Sequence, residues 1–431
     1  MDTRELESEI LAHPLPDPLP TDAGWVMPRY DGLSIANLPA TIAKLLGSDL
    51  PGALPPLPSA LWTDWQSGLQ RVVLIILDAW GYRLLQEMQA TGEGHSFTML
   101  AQAGRLAPLT SVFPSTTDAA LVSLSTGRSP AEHGWLAYTM YLREWGMAVN
   151  AILLCPIWTR QSDLLIEWGM EVENLVTVPT LAQRLNADGI ATEAIISAFF
   201  KGSGFTKMLY RGMEERQLHG HFHSSDLWTR LLHLLAATRG RKAFISVYWS
   251  GLDTIAHAYG PGTDLLAAEF RHVNYSLGEF FRHLPSQDRE GTLLLITADH
   301  GQIYIPKEKV VTATEEPELN RHLWAPITGE SRAAFIYPRP GHKGALRRYL
   351  AETYPGWFEV VDSAQALEGG LMGQPIAEET WARAGELLIL PRGDHALQHK
   401  PSTLPLVGRH GGLTPDEMLV PLIGARLEAL P

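Results

Sequence analysis

The sequence predicts an α/β fold with a mostly parallel central sheet, helices on both faces, and a smaller cap or insertion. Three observations carry that expectation. Short apolar, β-branched runs recur along the 431-residue chain without polar alternation, as in a strand buried on both faces. Stretches with helical apolar spacing lie between them. Three of the runs end in an aspartate, and open α/β sheets gather ligands at the carboxyl ends of their strands. A composition of 45% hydrophobic and 19% charged residues is that of a globular chain with ample core.

In chain order, residues 1–68 are Pro-rich and read as an irregular N-terminal extension packed on the core. Within them NLPATIAKLLG reads as a short helix, with Asn37 as N-cap, Pro39 in the first turn and Gly47 past the end. RVVLIIL at 71–77 is the first strong strand, followed by TEAIIS (192–197), AFISVY (243–248) and LLLIT (293–297), with weaker runs AAFIY (333–337) and ELLIL (386–390). Residues 226–240 and 265–284 carry helical spacing, the former with a glycine stop. The expected organisation is a core over 69–305 and 408–431, interrupted by a cap at 306–407 that contributes in part to the core.

The formal net charge of -13, with no Lys/Arg-rich run, argues against a nucleic-acid duplex as partner. It does not exclude a small phosphorylated substrate, because bound dications reverse a local field. The single cysteine, Cys155, excludes an intramolecular disulfide and a Cys-based zinc site. The acidic, Pro-broken start lacks the pattern of a signal peptide, and the apolar runs are too short to span a bilayer. The expectation is a cytoplasmic protein with no membrane partner.

The strand-end acids are Asp78, Asp253 and Asp299. Any one of them alone reads as a turn former or helix cap. Their companions change that reading. Asp299 is followed by His300 and Gly301; Asp253 is followed four residues later by His257, on the same face of a helical turn; and His410 precedes two glycines. Mixed carboxylate and imidazole donors suit two divalent ions, Zn2+ foremost and Mn2+ as the alternative. Such a pair attracts a phosphoryl oxygen and stabilises the attacking and leaving oxygens. In SVFPSTTDAALVSLSTG, Pro114 breaks the preceding strand and the helix ends at Gly127. Ser115, Thr116 and Thr117 therefore offer hydroxyls at a helix N-terminus, where free N–H groups and the dipole favour a phosphate. Spacing alone leaves all three open, as nucleophile or as N-cap.

Together IILDAWG, FPSTTDAALVSLSTGRSPAEHG, LDTIAHAYGPG, TADHG and RHGG resemble the alkaline phosphatase superfamily, most closely its type I phosphodiesterase/nucleotide pyrophosphatase family. The resemblance covers roughly 70–305 and 408–423. It implies an alkaline phosphatase-like core and metal-dependent hydrolysis of phosphate esters through a phospho-threonine intermediate. By that family's spacing, ten residues before the glycine of the TG pair, Thr117 is the nucleophile. Asp78, Asp299 and His300 then hold one metal with Thr117, and Asp253, His257 and His410 hold the other.

Two positions depart from the family's pattern. Ala120 stands where that branch has an asparagine, and Asp118 where it has an aromatic residue, which weakens nucleotides as the assumed substrate. Lys201 and Arg332 are candidate phosphate clamps, with a surface cation as the default role for either, and Asp118 is a substrate neighbour. His219, His221 and His223 read as a loop rather than a third metal site. Asp394, His395 and His399 read as loop residues, and His133 as a packing residue. The competing readings are a phosphonate hydrolase and a non-catalytic signalling or defence-associated module. A sulfatase is disfavoured by the absence of its C/S-x-P-x-R motif, and a mutase by the absence of a serine nucleophile with a large inserted domain.

Overall fold

The computed structural model describes residues 2–402 and 406–431. Its central sheet has seven strands in the order Arg105–Thr110, Leu419–Arg426, Thr292–Thr297, Arg71–Leu77, Ala243–Trp249, Ala191–Ser197 and Leu218–His221. Every strand runs parallel except Leu419–Arg426, which is antiparallel to both neighbours. All seven residues of Arg71–Leu77 are buried, so this middle strand needs cover on both faces. Helices Ser224–Ala237, Asp264–His283 and His95–Ala103 pack together as one group, and Leu38–Leu45, Thr117–Thr126 and Leu181–Ala187 as another. The strand directions decide where the chemistry lies. The carboxyl ends of Arg105–Thr110, Arg71–Leu77, Ala243–Trp249 and Thr292–Thr297 share one edge of the sheet. The single reversed strand begins at that edge, with Leu419 opposite Thr110.

A second sheet of seven strands, antiparallel throughout, runs Phe358–Asp362, Leu387–Pro391, Ala333–Ile336, Thr328–Glu330, Thr139–Leu142, Met147–Asn150 and Cys155–Pro156. The insertion thus completes a sheet begun by residues of the core. It leaves and rejoins the core where Ile303–Tyr304 pairs with Gly408–Arg409. The runs AAFIY and ELLIL belong to this sheet, not to the parallel one. Their lack of polar alternation has a different cause from burial among helices. Phe335, Leu388 and Leu390 face the main core, while Ala334, Ile336, Leu387 and Ile389 face a separate apolar cluster with Leu346 and Leu350.

Two local expectations are refined. Asn37 stands at the N-cap position of helix Leu38–Leu45 as expected, but its side-chain oxygen accepts from Ser34 N–H at 2.9 Å, closing the preceding turn instead of bonding the helix. The acidic start is helical over Thr3–Leu11, because Leu6 and Ile10 are spaced to bury one stripe. Among the described residues no helix is long and apolar enough to cross a membrane.

Candidate active site

Asp78 follows Arg71–Leu77 directly, and Asp299 lies two residues beyond Thr292–Thr297. Asp253 and His257 sit on helix Gly251–Tyr259, which starts where Ala243–Trp249 ends. Thr117 is the first residue of helix Thr117–Thr126, carried from Arg105–Thr110. His410 arrives with the loop that leads into the reversed strand. The seven residues meet at the shared sheet edge. The donor atoms of Asp78, Asp299 and His300 lie within 4.8 Å of one another, as do those of Asp253, His300 and His410. His257 Nε2 joins the second group, 3.2 Å from Asp253 Oδ1 and 3.3 Å from His410 Nε2. Thr117 Oγ1 is 3.0 Å from His300 Nε2.

The three imidazoles share one arrangement. Nδ1 of His257 faces Gly408 O at 2.8 Å, that of His300 faces Gly301 O at 2.9 Å, and that of His410 faces Ser115 O at 3.1 Å. A carbonyl only accepts, so each Nδ1 carries the proton and each Nε2 turns a lone pair into the cluster. Lone pairs of His257 and His410 facing at 3.3 Å repel unless a cation lies between or beside them. A backbone-anchored imidazole is also how proteins orient histidine ligands. The acids agree. Asp78 Oδ1 and Asp299 Oδ2 are buried without a hydrogen-bond partner, a costly state for a carboxylate that a metal relieves. Burial, and then the charges of Asp299 and Asp253, push the Asp78 carboxyl far above the usual carboxylate range. Burial raises Asp253 as well. Burial, with His300 and His257 alongside, holds His410 far below the usual imidazole range. These residues fit two divalent cations.

Supporting groups outside the sequence motifs hold the acids. The Tyr248 hydroxyl, near the end of Ala243–Trp249, donates to Asp78 Oδ2, and Gln302 Nε2 donates to Asp253 Oδ1. Asp299 Oδ1 accepts from the N–H groups of Ala79 and His300 at 3.1 and 2.9 Å. Close packing fixes the loops: a Cβ on Gly301 would lie 1.9 Å from Asp416 O. The competing hydroxyls are occupied elsewhere, Ser115 Oγ with Gly412 O at 2.7 Å and Thr116 Oγ1 with Glu330 at 2.7 Å. Only Thr117 of the three faces the cluster.

Arg332 is not a free phosphate clamp. It is buried and paired with Glu417, Nε and Nη2 lying 3.2 and 3.1 Å from the two carboxylate oxygens. Glu417 also accepts from Gly412 N–H at 2.9 Å, so the ion pair anchors the loop carrying His410. Lys201 lies exposed in the turn after Ala191–Ser197. Asp118 is fully buried beside the nucleophile. The HGHFH segment is not a plain loop: Leu218–His221 is the edge strand. His219 there pairs with Glu193 at 2.9 Å, and His223 caps the next helix. Asp394 pairs with Lys309 at 3.1 Å, and His395 packs on Trp357. His133 accepts from Trp135 N–H on Nδ1 and contacts Ser123 through Nε2, and burial takes it down to about 3.

The family model for type I phosphodiesterase/nucleotide pyrophosphatase matches residues 72–413, which span all seven residues of the cluster. The chain belongs to this family. Solved structures share its alkaline phosphatase-like fold. Murine ectonucleotide pyrophosphatase/phosphodiesterase 5 superposes with a TM-score of 0.63 at 16% identity, covering 83% of this chain and 88% of that one. An inactive threonine-to-alanine variant of the murine protein is known in complex with AMP, at a TM-score of 0.62, 16% identity and the same coverage. Phosphonoacetate hydrolase from Sinorhizobium meliloti 1021, in complex with phosphonoacetate, gives 0.60 at 17% identity over 84% of this chain and 94% of that one. No curated protein sequence matches the chain.

Proposed function

We propose that this family member hydrolyses phosphodiesters with Thr117 as nucleophile, at a site that binds two divalent cations. The observation that carries the reading is the convergence of three imidazole Nε2 lone pairs and two partnerless carboxylate oxygens around one hydroxyl. Asp78, Asp299, His300 and Thr117 would hold one cation, and Asp253, His257 and His410 the other. The mixed oxygen and nitrogen donors favour Zn2+, with Mn2+ as the alternative. When bound, such ions supply Lewis acidity that favours the Thr117 alkoxide and offsets charge on the phosphoryl oxygens.

The chain's own residues supply the rest. Thr117, opening a ten-residue helix, presents Oγ1 beside N–H groups that have no intrahelical acceptor. After loss of its proton to solvent, Oγ1 forms a bond to phosphorus as the bond to one ester oxygen breaks; the departing alkoxide takes up a proton. Water then displaces Thr117 from phosphorus, restoring the hydroxyl and releasing a monoester. The net reaction is diester plus water to monoester plus alcohol. The fold shared with a phosphonate hydrolase supports carbon–phosphorus cleavage as the second reading, so phosphonoacetate belongs among the substrates tried.

The test is turnover of bis-p-nitrophenyl phosphate by the metal-loaded chain, with metal content measured alongside. Thr117→Ala is expected to lose activity by at least ~10³-fold while keeping bound metal. Undiminished turnover by that variant refutes the nucleophile. A chain that binds no metal and turns over none of the substrates is a binding module instead.

A further inference from the structure

A cavity of about 480 Å³ is lined by none of the seven residues of the metal cluster. It is bounded by the turn Arg143–Trp145, by residues 169–177 and by helix Glu378–Arg383. Its walls carry four glutamates and two arginines. Two of these six close on partners outside the walls, Glu132 on Arg128 at 2.6 Å and Arg143 on Glu378 at 3.4 Å. Three acids, Glu144, Glu171 and Glu379, are left to one cation, Arg383.

Arg383 is only 4% exposed, yet its guanidinium is incompletely held. Nη1 donates to Gly134 O at 2.8 Å, Nε has no partner, and Nη2 stops 3.6 Å from Glu144 Oε1, beyond hydrogen-bond length. The Nε–Nη2 edge is the one that meets a carboxylate with two parallel hydrogen bonds. Glu144, itself 49% exposed, has the freedom to close that pair and does not. The same walls hold an apolar part, with Met170 and Leu175 buried and Trp145 half-buried. Glu171 and Glu379 are exposed, and among the described residues neither has a Lys or Arg nitrogen within the 4.0 Å of an ion pair. The excess of acid repels a simple anion, and a simple amine leaves Arg383 unmatched. A carboxylate with an adjacent ammonium and a second cation on an apolar stem answers all of these groups at once.

We propose that this cavity binds a free basic α-amino acid of the lysine type, its carboxylate on the Nε–Nη2 edge of Arg383, its α-ammonium on Glu144, and its side-chain cation at Glu171 and Glu379. The methylene stem lies against Trp145, Met170 and Leu175, as long cationic side chains do on apolar surface. A volume of this size is ordinary for a small-molecule site. The inference does not depend on the role of Thr117, because the cavity shares no residue with the metal cluster.

The experiment is calorimetric titration of the metal-loaded full chain with L-lysine, with L-norleucine, which lacks the side-chain cation, and with cadaverine, which lacks the carboxylate. Lysine is expected to bind at least about tenfold more tightly than either. Chelation of bound metal by the amino and carboxylate groups does not imitate this, since norleucine chelates as well. Glu379→Gln should bring the lysine-to-norleucine ratio toward one, and Glu144→Gln should weaken lysine by about tenfold. Both glutamates are exposed, so these exchanges leave the core untouched. Equal affinity for lysine and norleucine, equal affinity for lysine and cadaverine, or no heat from lysine at millimolar concentration overturns the inference. So does lysine binding that both variants leave unchanged, which would place the amino acid elsewhere on the chain.

Discussion

At Asp78 one hydroxyl stands between a buried carboxylate and an unrelieved charge. Tyr248 donates to Oδ2 while Oδ1 is left for the cluster. Tyr248→Phe removes the donor and little volume, so the change acts on the orientation and basicity of Asp78. A fall of about 10- to 100-fold in metal affinity is expected, with a matching loss of kcat/KM that excess metal partly restores. Competition with a chromophoric chelator measures the first and diesterase assays the second; unchanged affinity would refute the positioning role. At this scale the sequence is informative where chemistry and chain position coincide. Asp78, Asp253, Asp299 and His300 stand at or beside strand ends, so topology alone brings them together. Tyr248 carries no such mark, because a tyrosine near the end of an apolar strand reads as core. Glu330 and Gln302 are silent for another reason: their partners Thr116 and Asp253 are remote in sequence.

Among the elements, the loop bearing His410 depends on an ion pair with no access to solvent. Glu417 gathers Arg332, Gly412 N–H and Thr414 around one carboxylate. Glu417→Gln leaves the guanidinium buried without its counter-charge, an expected loss of about 3–5 kcal/mol, read by chemical denaturation. The same variant should lose metal from the group containing His410 first. A stability within ~1 kcal/mol of the parent would show that the pair does not anchor the loop. In sequence Arg332 reads as a surface cation or a candidate phosphate clamp, and neither holds, because a lone arginine in an irregular segment carries no sign of its buried partner Glu417. The strands near 335 and 388 were legible as strands and misplaced as to sheet. Two apolar surroundings, one on each side, erase the alternation that would have marked them. Leu419–Arg426 went unread: a proline within it argues against a central strand, yet Pro421 lies in the ladder with Pro108 opposite.

For the whole molecule, the metal cluster and the stability of the fold are one problem. Asp78 and Asp253 have folded-state pKa values raised above their unfolded ones, chiefly by burial. Without metal, their contribution favours folding below the unfolded carboxylate range and is lost as pH rises through the folded values. With metal bound, the ionised forms are the ones satisfied. Stripping the cations should therefore lower Tm, and the gap between loaded and stripped protein should widen from pH 5 to pH 8. Each site is worth about 4 kcal/mol when free metal stands 1,000-fold above its Kd. Calorimetric scans of both forms at the two pH values measure this; a gap that narrows toward pH 8 would refute the buried-acid origin.

The reversed strand sets an order of events for the newborn chain. Leu419–Arg426 lies between Arg105–Thr110 and Thr292–Thr297, so the segment leading to Thr117 has no ladder to the rest of the central sheet until residue 426 has been made. Gly329 must likewise find Thr139 across nearly two hundred residues. Such distant pairings delay folding. A ribosome-bound chain stalled short of residue 419 would display its acids and histidines without the frame that gathers them. Catalytic competence would then come as a single late event, once Leu419–Arg426 has emerged and joined its two neighbours.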